Sequence, residues 1–220
     1  MAVIAAATVM AEGAAPTLDL KFDTPQEITV GTTKVVFDGK IQDGMMFFGP
    51  KLYSMPAAGL AGEKGTILAK LTMEPYHPEF KGPRSLVTLR TKSRLLISIY
   101  TLVNRHCTFA FADQSKNIYV SNRKQIKDGE VFYAAITWNG DRVRCYMNGK
   151  LLQERKQEVP VKNVTTLNIG PFADAWYRRN PWGEENRIGL LKVWDRELDP
   201  AEIQRECGVK SKSAPEQSVP

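Results

Sequence analysis

The 220 residues carry 30 basic against 24 acidic side chains, a formal net charge of +6, and 43% of them are hydrophobic. That length and apolar share suffice for one domain with a sizeable core, and the charge excess suits an acidic partner or simply a soluble surface. No arginine-rich arm or nucleic-acid motif is present, and no apolar run reaches the roughly 18 residues of a membrane-spanning helix.

Residues 1–16 are small and apolar at the start, and Val9-Met10-Ala11 fits a signal-peptidase site. A positive n-region is missing and the apolar part is short. The segment reads either as the remnant of a secretion signal or as an ordered N-terminal extension. Leu18, Leu20 and Phe22 then alternate with polar residues, the period of a strand. Residues 28–30 and 35–37 are β-branched runs around Gly31, which predicts a hairpin. Met45 to Phe48 lies between Asp43-Gly44 and Gly49-Pro50, too short for a helix, and reads as a buried strand continued by Leu52 to Met55.

Ile67, Ala69, Leu71 and Met73 share one face of a long strand, and Lys70, Thr72 and Glu74 the other. A proline-rich loop runs from Pro75 to Pro83. Strands follow at 85–91, 95–101, 107–112 and 118–120, then a basic connection from Asn122 to Gly129. The three cysteines, Cys107, Cys145 and Cys207, are an odd number, so at least one is unpaired within the chain. Cys107 and Cys145 have apolar neighbours at strand spacing and read as buried thiols. His77 and His106 are the only histidines and no Cys-x-x-Cys occurs, which leaves no structural zinc set.

The most regular stretch is 130–152. Phe132, Ala134, Ile136 and Trp138 alternate, then Val143, Cys145 and Met147 opposite Arg142, Arg144 and Tyr146. Asn139-Gly140 and Asn148-Gly149 each predict a type I′ turn, because both central residues of that turn need φ > 0. Two such turns predict a three-stranded antiparallel meander. Residues 153–165 carry mixed charge and Pro160, a poor central strand. A strand at 166–170, a long loop at 171–187 and a last strand at 188–194 follow. Asp199, Pro200 and Glu202 have the spacing of a capped helix that Gly208 ends, and 209–220 is a polar tail with too little apolar surface to order itself.

These residues also carry a resemblance. Trp138, Gly140, Val143, Tyr146 and Asn148-Gly149-Lys150 fall into the W-x-G-x-x-V-x-x-Y-x-N-G-K pattern of laminin G-like jelly rolls, in the concanavalin A-like lectin/glucanase superfamily. Leu167-Asn168-Ile169-Gly170, the run from Ile188 to Ile203, and Gly65-Thr66-Ile67 with Glu74-Pro75 resemble further strands of that family. Together they cover roughly Leu18 to Gly208. The resemblance implies an all-β, two-sheet antiparallel jelly roll over 17–208 with a short C-terminal helix. It implies an extracellular, periplasmic or cell-surface setting. The fold hosts lectins, hydrolases and adhesion modules alike.

Glucanases of the superfamily carry Glu-x-Asp-x-(x)-Glu on one strand, whose alternation sets the carboxylates on one face. Glu197-Leu198-Asp199-Pro200-Ala201-Glu202 matches it literally. Pro200 would remove a ladder donor from a strand there, so these residues read as a helix cap and no catalytic residue is assigned. The sharpest binding candidate is the 171–187 loop, with Trp176, Tyr177, Arg178, Arg179, Asn180 and Trp182. Flat aromatic faces stack on sugar C–H faces, while Arg and Asn bond hydroxyls and carboxylates. The same tryptophans could instead fold back on a sheet edge. Calcium is possible by resemblance. Loop carboxylates Asp43, Asp113, Asp174, Glu184 and Glu185 are available, but Gly189-Leu190 stands where many family members have Asp-Glu. Asn163-Val164-Thr165 fits a glycosylation sequon. The expected function is non-catalytic recognition of a polysaccharide or glycan. A glycoside hydrolase or lyase, or a protein-binding adhesion module, are the alternatives.

Overall fold

A computed structural model describes residues 15–47, 51–75, 83–92, 94–102, 104–112, 117–157, 160–171 and 187–209. In chain order the strands are β1 (Leu18–Lys21), β2 (Gln26–Val30), β3 (Thr33–Phe37), β4 (Ile41–Gln42), β5 (Met45–Phe47), β6 (Tyr53–Pro56), β7 (Lys64–Thr72) and β8 (Arg84–Arg90). They continue with β9 (Leu95–Thr101), β10 (Cys107–Ala112), β11 (Asn117–Ser121), β12 (Val131–Asn139), β13 (Arg142–Met147), β14 (Lys150–Lys156), β15 (Thr166–Ile169) and β16 (Arg187–Trp194). A helix, α1 (Pro200–Glu206), follows.

The chain is an antiparallel β-sandwich, as the alternation and the resemblance implied. Among the described residues the larger sheet has eight strands in the order β14-β13-β12-β7-β16-β5-β4, with β1 also pairing β16. The second has six, β11-β10-β9-β8-β15-β6, and β2-β3 form a separate hairpin. Odd-spaced apolar residues of both sheets meet in one core. Ile67, Leu71, Phe132, Ile136 and Trp138 of the larger sheet and Leu89, Ile97, Ile99, Phe109, Phe111 and Leu167 of the smaller are 0% exposed. At roughly 1.5–3 kcal/mol for each large side chain removed from water, this alternation decides which face of each strand turns inward.

Trp138 shows how close the fit is. It pairs across the ladder with Gly65, and a Cβ there would lie 2.3 Å from the indole ring. The indole Nε1 donates to the Gly62 carbonyl at 2.8 Å. A glycine is needed opposite because the ring fills the space a Cβ would take.

The meander forms, with one turn shifted. Met147 pairs with Lys150, so Asn148 (φ 49°) and Gly149 (φ 75°) are the central residues of a type I′ turn, as predicted. At the first turn Asn139 still pairs with Arg142, leaving Gly140-Asp141 in the loop, with positive φ at Gly140 only (61°). That is a type II′ pattern, not the expected type I′. The reason is a third strand. Asn139 also pairs with Lys64 of β7, which holds it extended. β14 runs on to Lys156 instead of stopping at Leu152. As the edge strand of its sheet it needs only one apolar side, and Glu154 on it accepts from Arg144. β16 starts at Arg187, one residue early, and the two-residue β4 has no sequence signature.

Helix α1 forms where its cap was read. Asp199 accepts from the Glu202 backbone N–H at 2.8 Å, and Glu202 Oε2 accepts from the Asp199 N–H at 2.9 Å. Gly208 ends the helix with φ 68°. The helix lies on the outer face of the larger sheet, where Leu68, Ala135, Tyr146, Trp194, Leu198, Ile203 and Cys207 form a second, smaller core.

Candidate functional site

Among the connections that cross between the sheets, three have their roots side by side at one end of the sandwich. β5 to β6, β7 to β8 and β15 to β16 each leave one sheet and enter the other. Thr72, Arg187 and Phe47 pair side by side in the larger sheet, as do Val87, Ile169 and Tyr53 in the smaller. The roots of all three connections are therefore neighbours.

Polar contacts tie these roots together. Lys51 Nζ donates to both oxygens of Asp38 at 2.6 and 2.7 Å, and Tyr53 Oη donates to Asp38 Oδ1 at 3.2 Å. The Lys51 ammonium holds the Asp38 carboxyl below its usual range. Burial, reinforced by the Asp38 charge, pushes the Tyr53 phenol up to about 12. Arg84 donates to the Glu74 and Pro75 carbonyls at 3.2 and 2.9 Å. Gly170 N–H donates to Leu86 O at 3.1 Å, and a Cβ on Gly170 would sit 2.7 Å from Lys51 O. Arg187 completes the set. Its Nε donates to Glu74 Oε1 at 2.6 Å and its Nη1 to Asp43 Oδ2 at 2.9 Å, while the guanidinium lies over Phe47.

Arg187 was grouped with the binding loop and belongs to the strand. It is 8% exposed, and both its acidic partners are on the chain. The Glu74 pair is mostly buried and the Asp43 pair opens to solvent; removing one partner of the buried pair leaves an uncompensated charge, so it holds geometry well. Nothing in the sequence joins Asp43, Glu74 and Arg187, which lie far apart along it. Trp176, Tyr177, Arg178, Arg179, Asn180 and Trp182 lie outside the described residues, as do 1–14 and 210–220.

The outer face of the larger sheet carries Arg142, Arg144 and Tyr146. It is occupied by the chain's own C-terminal segment. Tyr146 is 0% exposed under α1. Glu197 Oε2 accepts from Arg142 Nη2 at 2.7 Å and from Asn139 Nδ2 at 3.1 Å, and its Oε1 accepts from Arg144 Nη1 at 3.3 Å. Glu202 is bound by both terminal nitrogens of Arg196 at 3.0 and 2.8 Å. The carboxylates of the Glu-x-Asp-x-x-Glu match thus serve a cap and contacts with three arginines.

The outer face of the smaller sheet bears a polar row. Ser54, Asn168, Thr88 and Ser98 are cross-strand neighbours. Thr88 and Ser98 share a hydrogen bond at 3.3 Å, and Asn168 Oδ1 is buried without a partner among the described residues. For calcium, Asp43 is engaged by Arg187, and Asp113, Asp174, Glu184 and Glu185 lie outside the described residues. Among those described, no three His, Cys, Asp or Glu side chains converge to hold a metal.

No protein-family profile and no curated protein sequence matches the chain. Solved structures do. A botulinum neurotoxin type C structure, described as dependent for cell entry on interaction with two ganglioside molecules, aligns with TM-score 0.62 at 13% identity, over 88% of this chain and 51% of that one. The ligand-binding domain of botulinum neurotoxin serotype D, in complex with N-acetylneuraminic acid, aligns with TM-score 0.61 at 12% identity, over 88% and 50%. Trypanosoma rangeli sialidase aligns with TM-score 0.60 at 13% identity, over 79% of this chain and 29% of the enzyme. The shared feature is the β-sandwich. The chain spans about half of each neurotoxin chain and under a third of the sialidase.

Proposed function

We propose that this chain is a non-catalytic carbohydrate-recognition module of laminin G-like type, acting outside the cytoplasm. The observation that carries this reading is the clamped end of the sandwich. Loops on a rigid scaffold are where binding residues are displayed, and the 172–186 connection springs from Gly170 and Arg187, two of the most constrained points of that end. Its aromatic and arginine content suits stacking on sugar rings and bonding to hydroxyl or carboxylate groups. Ganglioside and N-acetylneuraminic acid, named for two of the neurotoxin structures, are of that chemical class. A hydrolase reading would draw on the sialidase likeness. It has less support, because only 29% of that enzyme is spanned.

A glycan array with a parallel hydrolysis assay tests the proposal. The expected result is saturable binding to a defined set of glycans without turnover. Trp176→Ala and Trp182→Ala should each weaken binding at least about tenfold while leaving the melting temperature nearly unchanged. Tryptophan variants that instead lose about 3–5 kcal/mol of stability would make the rings part of the core and defeat the platform.

A further inference from the structure

We propose that a cleft on the side of the sandwich, between the edge strands β11 and β14, binds an anionic saccharide chain through Arg123, Lys124 and Lys150. The proposal rests on the glycan-recognition reading and names both a second contact surface and the charge of the ligand.

β11 ends the smaller sheet and β14 ends the larger, so this side of the sandwich has two open edges. Between them lies a cleft of about 770 Å³. One wall is the end of β11 and the connection that follows, the other the β13–β14 hairpin. Both walls are fixed. Asn122 is 6% exposed, its Oδ1 accepts from Cys107 N–H at 2.7 Å, and its Nδ2 donates to the Lys124 carbonyl. Ile126 is 2% exposed, and its N–H donates to Arg105 O at 2.9 Å. Arg123, Lys124 and Gln125 are thereby held out to solvent between two buried anchors. Opposite, Asn148 exchanges hydrogen bonds with the Tyr133 backbone at 2.8 and 2.9 Å, which sets the turn that leads into Lys150.

The charges differ from those nearby. Arg105 pairs with Asp128, Arg144 with Glu154 and Lys156 with Asp141. Among the described residues no carboxylate pairs with Arg123, Lys124 or Lys150, although all three line the cleft. Exposed Leu151 and half-buried Leu152 give the cleft an apolar surface suited to the C–H face of a pyranose, and Gln125 and Gln153 give amides suited to hydroxyls. Glu130 is the one carboxylate among the described lining residues, so an anion is held away from it. An acidic peptide adding as a strand is less suited, because β14 carries Lys150, Glu154, Arg155 and Lys156 exposed along it and a charged edge resists strand pairing.

The test is calorimetric titration of the full chain with a sulphated heparin-derived hexasaccharide, sialyllactose, neutral maltohexaose and a hexaglutamate peptide. The wild type should prefer the two anionic saccharides to maltohexaose and to the peptide. The triple change Arg123→Ala, Lys124→Ala, Lys150→Ala should weaken hexasaccharide binding about tenfold or more without lowering the melting temperature, since rim ion pairs add a few-fold each. Glu130→Gln should tighten it, and added salt should weaken the wild type more than the triple variant. Equal binding by wild type and triple variant overturns the cleft, and so does peptide binding as tight as saccharide binding. Trp176→Ala and Trp182→Ala separate the two proposals. If they bind every saccharide like wild type while the triple variant does not, the loop platform fails and the cleft stands. If they lose binding while the triple variant keeps it, the cleft fails and the platform stands.

Discussion

At the residue scale, the carboxylates of the Glu-x-Asp-x-x-Glu match decide a question that spacing leaves open. A carboxylate that caps a helix and one that protonates a glycosidic oxygen can share a motif. They differ in what surrounds them. Asp199 faces the first-turn N–H groups of α1, and Glu202 faces both the Asp199 N–H and Arg196. Asp199→Ala should therefore cost about 1 kcal/mol in urea unfolding, the usual value of such a cap. Glu202 also makes the helix sensitive to acid. The Arg196 guanidinium lowers its folded-state pKa below the ordinary 4.5. A depressed carboxylate contributes stability that is present above pH 4.5 and is lost as pH falls through the lower folded value. Glu202→Gln should flatten the stability profile in that acid window and leave the slope above pH 6 as in the wild type.

At the element scale, α1 is held by what lies beneath it. Ile203 is 0% exposed and packs on the outer face of the larger sheet with Leu68, Tyr146 and Trp194. A seven-residue helix is too short to persist alone in water, so its stability is the stability of this contact. Ile203→Ala should cost about 2–5 kcal/mol by equilibrium unfolding, the range for deleting a buried aliphatic side chain. The β7–β12 pair makes a sharper test of register. Gly65→Ala sets a methyl against an indole that is already hydrogen-bonded to Gly62, and overpacking of this kind costs about 1–3 kcal/mol. Gly62→Ala, where nothing lies within 4 Å of the added methyl, should be close to neutral.

At the scale of the whole molecule, the sandwich stands without covalent staples among its described residues. Cys107, Cys145 and Cys207 are all free and buried. Burial pushes the first two thiols far above their usual range and Cys207 up to about 11. A reductant should leave the melting temperature unchanged, and alkylation should be slow until the chain unfolds; fast alkylation in native buffer would contradict the buried placement. At the clamped end Arg84 of the smaller sheet bonds to the Glu74 and Pro75 carbonyls just past β7, and Arg187 ties β16 to Glu74 and Asp43 within the larger sheet. Arg187→Ala leaves Glu74 short of its partner in a mostly buried setting. It should cost up to about 3–5 kcal/mol and, under the proposed glycan-recognition role, weaken binding as well, because Arg187 anchors the start of β16.

The sequence by itself determined which residues turn inward. A period of two repeats along most strands, and burying one face of each outweighs every alternative register. It also determined the local stops, because Asn148-Gly149 and the Asp199 cap act over a few bonds. What it left open needed partners from elsewhere in the chain. The first meander turn slips by one residue because β7 pairs with Asn139. The arginines of β13 are engaged by the chain itself because Glu197, 53 residues after Arg144, lies against them. Asp43, Glu74 and Arg187 meet only once β16 pairs with β5 and β7 in the larger sheet, 144 residues separating the first from the last. Contacts of that reach leave no period in a sequence, since they depend on which strands become neighbours, and that choice is made by the packing of the two sheets as a whole.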